Sequence, residues 1–204
     1  MHYTISEIQQ WERFYRANFI NCLTGFKSVS LIGTVNKNKQ PNLAVFSSIV
    51  HIGSNPALVG YIKRPITAAP HTLANIEATG HYTINHIHPQ FVAQAHQSSA
   101  KYDVTINEFE ATGLTAEFKA GIVPPFVAES QVQYALKLVE IVPIKHNNTF
   151  LVIGAVTDVF VPTEAIHTDG FLNLELVESV ACLGVDAYFK PSLLSRFGYA
   201  KPDK

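Results

Sequence analysis

The strongest constraint on this 204-residue chain lies in its C-terminal third. Two long apolar-rich runs, Val132 to Ile144 and Thr149 to Val161, are separated only by the polar stretch Lys145 to Asn148. So short a connection joins antiparallel neighbours, and a long β-hairpin is predicted. In its first arm Val132, Tyr134, Leu136 and Leu138 alternate with Gln133 and Lys137, the period-two pattern of a strand with one buried face. Further β-rich runs stand at Val29 to Val35, Leu43 to Ile52, Ala57 to Ile62 and His81 to Ile87, separated by polar or Gly/Pro-bearing turns.

Helical signals interrupt this β framework. Ser6 and Gln9 have capping-box spacing, and Ile8, Trp11, Tyr15, Phe19 and Cys22 recur on one helical face. An amphipathic N-terminal helix over about 6–24, ending near Gly25, follows. Shorter helices are predicted at Thr72 to Thr79, with Gly80 in the C-terminal capping place, and at Gln90 to Ser98 after Pro89. Nothing resembling a repeat, linker or low-complexity tract divides the chain, so residues 1–204 read as one domain with a C-terminal extension over about 183–204 that packs on another surface. The fold class is mainly β with inserted helices, a closed or nearly closed barrel.

Composition narrows the function. Apolar residues reach 47% while Asp, Glu, Lys and Arg make up 15%, below the roughly 25% of an average domain, which points to a large buried fraction or an oligomer interface. With 15 Lys and Arg against 16 Asp and Glu and no basic block, broad binding to nucleic acid or an anionic membrane is not expected. The long charge-free stretch Gln40 to Ile62 carries Pro41, Gly53, Pro56 and Gly60 and does not read as a membrane span. The N-terminus lacks the apolar core of a signal peptide, and a cytoplasmic location is expected. Cys22 and Cys182 read as small core residues.

No GxSxG elbow, HExxH, phosphate loop or GxGxxG fingerprint occurs. His81, His86, His88 and His96 fall close together, but no carboxylate lies between His81 and Lys101, so no metal site is predicted. The most informative segment is Pro41 to Pro65. A strand carrying Asn42, Ser47 and Ser48 turns at Ser54-Asn55-Pro56 and returns to deliver Lys63 and Arg64. Hydroxyl donors and paired cations suit a phosphate monoester; polar edge residues beside a solvated cationic turn would give the same pattern.

The chain resembles the flavin reductase-like proteins with the FMN-binding split barrel. The resemblance runs through TGFKSVSLIGTV at Thr24 to Val35, NLAVFSS at Asn42 to Ser48, SNPALVGYIKRP at Ser54 to Pro65 and HTLANIEATGHYTINHI at His71 to Ile87. It continues through NEFEATGL at Asn107 to Leu114, VPPFVAES at Val123 to Ser130, LVIGAV at Leu151 to Val156, and DAYF and SRFGY near the C-terminus. It implies a Greek-key split β-barrel, a homodimer and FMN at the subunit interface. Carried over residue by residue, Asn42, Ala44, Phe46, Ser47 and Ser48 match the flavin-contacting strand and Tyr61, Ile62, Lys63 and Arg64 the neighbouring strand end. Thr72 and Asn75 match a helix start facing the phosphate. Where many members have Gly-Asp-His, this chain has His146-Asn147-Asn148, so no histidine role on the nicotinamide side is carried over, and no catalytic side chain is assigned. The implied activity is hydride transfer from NADH or NADPH to flavin, serving a monooxygenase or another electron acceptor. The alternatives are an FMN electron carrier without nicotinamide activity and a non-enzymatic small-ligand barrel.

Overall fold

A computed structural model describes residues 1–65 and 71–202; the remaining positions of the expected 1–204 domain lie outside the described residues. The N-terminal helix is two helices, α1 (Ile5–Gln9) and α2 (Arg13–Cys22). The cap is Thr4, in a reciprocal capping box with Glu7, rather than Ser6 with Gln9. A second cap at Glu12, whose carboxylate accepts from the Phe14 and Tyr15 amides, restarts the helix after the break. Trp11 packs edge-on against Tyr3, Tyr15 and Phe19. The apolar face was correctly periodic, yet α2 has no buried residue and only Ile8 of α1 is covered.

The strands follow as β1 (Lys27–Ser28), β2 (Ser30–Val35), β3 (Pro41–Phe46), β4 (Ile49–Ser54) and β5 (Ala57–Lys63). Helix α3 (His71–Thr79) ends at Gly80, whose φ of +73° is the left-handed cap anticipated from sequence. Then come β6 (His81–His86), a 3-10 turn running into α4 (Val92–Gln97), α5 (Glu108–Thr112), the short pair β7 (Ala116–Glu117) and β8 (Phe126–Val127), and the hairpin β9 (Gln133–Ile144) and β10 (Thr149–Phe160). The chain closes with β11 (Ala181–Leu183) and β12 (Ala187–Phe189), which form a small sheet with β1.

The main sheet has seven strands in the order β3-β2-β6-β9-β10-β5-β4. Its two edges, β3 and β4, are joined by Ser47 and Ser48 alone. Phe46 and Ile49, three peptide units apart, can be separated by only about 11 Å, so the edges must meet and the sheet must curl into a barrel with one unpaired seam. The single run expected over Leu43 to Ile52 is therefore two strands, broken where the chain crosses that seam. Inside, Ile32, Tyr61, Tyr82, Ile84, Leu136 and Val152 pack with Leu73 and Ile76 of α3. On the other face Leu31, Leu43, Ile87, Phe91, Phe109 and Val127 form a second cluster with α4 and α5. Buried on both sides, β2 shows no alternation. The same happens at the start of β9: Gln133, expected to face outward, is buried because its Nε2 donates to the Val127 carbonyl at 2.7 Å.

Candidate functional site

A cavity of about 240 Å³ opens beside the seam. Ala44, Phe46, Ser47 and Ser48 line one side as β3 ends, and Ile62, Lys63 and Arg64 line the next as β5 ends. The backbone fixes this arrangement, since the Ile62 amide donates to the Ser48 carbonyl at 3.2 Å and docks the crossing dipeptide onto β5. Opposite them, Ser98, Ser99 and Lys101 follow α4, and Cys182, Val185 and Tyr188 come from the small sheet. The Ser98 hydroxyl donates to the Ala95 carbonyl at 2.7 Å, so Ser47, Ser48 and Ser99 with the three cationic side chains form the donor set around this space, one suited to a phosphate oxyanion.

The cations differ in setting. Lys63 is 2% exposed, its Nζ donates to the Arg64 carbonyl at 3.2 Å, and burial pulls its pKa down. Arg64 is exposed. On the far wall burial pushes the Cys182 thiol up, against the opposing influence of Ser47 and Lys27. The Tyr188 hydroxyl lies 3.0 Å from His96 Nδ1, and burial raises the phenol to about 12.

Seven of the residues singled out from sequence meet here: Ala44, Phe46, Ser47, Ser48, Ile62, Lys63 and Arg64. Tyr61 does not line the cavity; it is fully buried one layer deeper, edge-on to Phe46 and Tyr82. Its alternation with Ile62 along β5 turns it to the barrel interior. Asn42, Thr72 and Asn75 form a separate buried network. Asn42 Nδ2 donates to Glu108 Oε1 at 2.7 Å, and its Oδ1 accepts from Thr34 and Thr72 hydroxyls at 3.1 and 3.3 Å. Asn75 Nδ2 donates to Thr34 Oγ1 at 3.1 Å, and Glu108 Oε2 accepts from the Leu43 amide. These side chains tie α3 and α5 to β2 and β3. Glu108 had a readable local signal, Asn107 capping α5 and Gly113 ending it at φ +74°. Ser98, Ser99 and Lys101 also went unnoticed, although a hydroxyl pair followed closely by a cation repeats the chemistry of Ser47 to Arg64.

The clustered histidines separate in space. His86 Nδ1 pairs with Ser179 Oγ at 2.8 Å, His88 Nε2 with Glu178 at 3.0 Å, and His81 Nδ1 with the Thr79 carbonyl at 2.8 Å. A carboxylate missing from the local sequence thus reaches His88 from a distant segment. Burial drives His86 down to about 4. Among the described residues no group of three or more His, Cys, Asp or Glu is arranged to hold a metal ion, and no helix is long and apolar enough to cross a membrane.

Residues 26–175 match the family model described as flavin reductase like domain. The chain belongs to this family. A split-barrel protein from Shewanella frigidimarina NCIMB 400, assigned as a flavin reductase, is 46% identical, superposes with a TM-score of 0.95, and the match covers 98% of this chain and 100% of that one. Nitrilotriacetate monooxygenase component B from Bacillus cereus shares the fold at 18% identity and a TM-score of 0.81, with coverage of 93% and 96%. Flavoredoxin of Desulfovibrio vulgaris (Miyazaki F) does so at 21% identity and a TM-score of 0.74, with coverage of 86% and 92%. The barrel with one open seam is accordingly the split barrel of a flavin-related oxidoreductase.

Proposed function

We propose that the seam cavity holds FMN and that the protein is an NAD(P)H:flavin oxidoreductase. The observation that carries this reading is the convergence of Ser47, Ser48, Lys63, Arg64, Ser99 and Lys101 on one space. Neutral hydroxyls fix the direction of phosphate oxygens while the cations balance the charge. A bound flavin supplies the ring that accepts a hydride from the nicotinamide. The chain's task is orientation: Ser47 and Ser48 on a backbone-clamped crossing, Phe46 against the buried Tyr61, and the small sheet as the facing wall.

At about 240 Å³ the cavity is smaller than the roughly 300–1,000 Å³ usual for sites that enclose a sizeable ligand. A second copy completing it would account for the shortfall, so a homodimer belongs to the proposal. The uncovered apolar face of α2 and the exposed Phe14, Leu23 and Phe26 supply surface for such contact. Passing electrons to a monooxygenase, and residence in the cytoplasm, complete the reading.

Two measurements test it. Anaerobic mixing of the FMN-loaded protein with NADH or NADPH should bleach the flavin absorbance; an unchanged spectrum with both would remove the nicotinamide activity. FMN and riboflavin titrations should differ, and Arg64→Ala or Ser48→Ala should weaken FMN by roughly 10- to 150-fold, the equivalent of one charged hydrogen bond of about 1.5–3 kcal/mol, with riboflavin nearly unaffected. Equal weakening of both ligands would refute the phosphate assignment.

A further inference from the structure

A second and larger cleft, of about 830 Å³, lies on the other stretch of the same strand. Asn42 lines it, whereas Ala44, two residues on, lines the seam cavity. Side chains two apart on a strand share a face and stand about 7 Å apart. The connection from α4 to α5 walls both spaces, through Ser98, Ser99 and Lys101 in one case and through Val104 to Asn107 in the other. The two spaces are therefore neighbours on one continuous surface.

Their chemistry is opposite. The seam cavity carries Lys63, Arg64 and Lys101, while no lysine or arginine is among the described residues lining the cleft, whose titratable side chains are His71, Glu108 and Glu110. Glu108 is committed to Asn42 and the Leu43 amide. Glu110 is exposed at the cleft, with Oε1 accepting from Asn107 Nδ2 at 3.0 Å. Val104 and Ile106, 67% and 44% exposed, give an aliphatic platform, and the turn bearing Asn36 and Gln40, where Asn36 Nδ2 donates to Gln40 Oε1 at 2.7 Å, brings a pair of carboxamides to the cleft. Lys37 and Lys39 sit in that turn but are not among the lining residues. An apolar platform for a base, amides for its edge and a carboxylate for ribose hydroxyls make a nucleoside site, and a carboxylate at the ribose repels a 2′-phosphate.

We propose that this cleft receives the adenosine end of the hydride donor and that Glu110 sets its specificity, making NADH rather than NADPH the coenzyme. The inference rests on the flavin reductase reading. FMN-loaded protein should be reduced with a kcat/KM at least about tenfold higher for NADH, the effect of one repulsion of about 1.4 kcal/mol. Glu110→Gln should narrow that ratio and Glu110→Arg should close or invert it through the KM for NADPH, with FMN affinity unchanged. Independently of turnover, NMR titration of the FMN-loaded protein at pH 8 should detect 5′-AMP binding at this cleft more tightly than adenosine 2′,5′-bisphosphate, and Glu110→Arg should reverse the order. Equal use of both coenzymes, a ratio indifferent to both Glu110 variants, or a preference for NADPH that Lys37→Ala and Lys39→Ala abolish would overturn the proposal. So would the absence of 5′-AMP binding. If neither coenzyme bleaches the flavin, the nicotinamide reading itself fails, and the AMP titration still decides the cleft. A dependence of FAD affinity, but not of NADH, on Glu110 would assign the adenosine to a dinucleotide flavin and likewise overturn it.

Discussion

Replacing Asn42 by alanine separates architecture from ligand contact. The substitution deletes one hydrogen bond to the Glu108 carboxylate, at 2.7 Å, and two from neutral hydroxyls, at 3.1 and 3.3 Å. A bond to a charged group contributes about 1.5–3 kcal/mol and a neutral one about 0.5–1.5 kcal/mol, so the simple total is about 2.5–6 kcal/mol. The adjoining cleft lets water reach the stranded carboxylate, which places the expected loss near the lower end, about 3 kcal/mol. For a chain of this size that lowers Tm by about 6–12 °C. Thermal unfolding followed by circular dichroism measures the drop, and fluorescence titration measures FMN affinity on the folded variant. Asn42→Ala should be clearly destabilised while still binding FMN within about threefold of wild type, because its side chain points into the network and not into the seam cavity. A variant with unchanged Tm and strongly weakened FMN binding would refute this reasoning and make Asn42 a ligand contact.

Three further outcomes follow from the same physics. His86 is neutral in the native state because burial lowers its pKa to about 4, whereas in the unfolded chain it protonates near 6.5; stability should therefore fall as pH drops from 6.5 toward 4, by up to about 3 kcal/mol, and urea unfolding of His86→Gln should lose that part of the slope. Gly154→Ala should be strongly destabilising, since the new Cβ would meet Tyr82 Oη and lie 2.9 Å from its Cζ. Tyr82→Phe should be tolerated alone, because that hydroxyl has no hydrogen-bond partner among the described residues, and should recover only part of the Gly154→Ala loss in a double-mutant cycle, since the ring carbon at 2.9 Å remains. Light scattering at micromolar concentration should give twice the monomer mass of 22.5 kDa; the monomer mass would end the interface reading.

The parts of the fold legible in sequence were those where one face meets water. The alternation of Leu136, Lys137 and Leu138 in β9 and the polar turn before Thr149 exposed the hairpin, and Gly80 announced the end of α3. What was not legible depended on partners distant along the chain. Gln133 is buried because residues near Val127 cross over it, β2 lost its alternation because helices cover its outer face, and the Leu43 to Ile52 run concealed a break, since Ser47 and Ser48 look like ordinary strand residues until the sheet is closed around them. The site divided in the same manner. Ser47, Ser48, Lys63 and Arg64 were readable because two neighbouring strand ends deliver them. Ser98, Ser99 and Lys101 arrive from a segment more than thirty residues later, and Asn42, Thr72 and Asn75 are joined through Thr34 and Glu108, partners that no local pattern reveals.

The seam has a further consequence. As the two outermost strands, β3 and β4 each leave one row of backbone amides and carbonyls outside the sheet's ladder, the arrangement from which stray strand pairing begins. A ligand seated on the Ser47-Ser48 crossing stands where those rows approach each other, so occupancy acts as a clasp on the most easily opened part of the barrel. Backbone amides of β4 should then exchange with deuterium more slowly in the loaded protein than in the stripped one, and the stripped protein should be the form prone to self-association during storage.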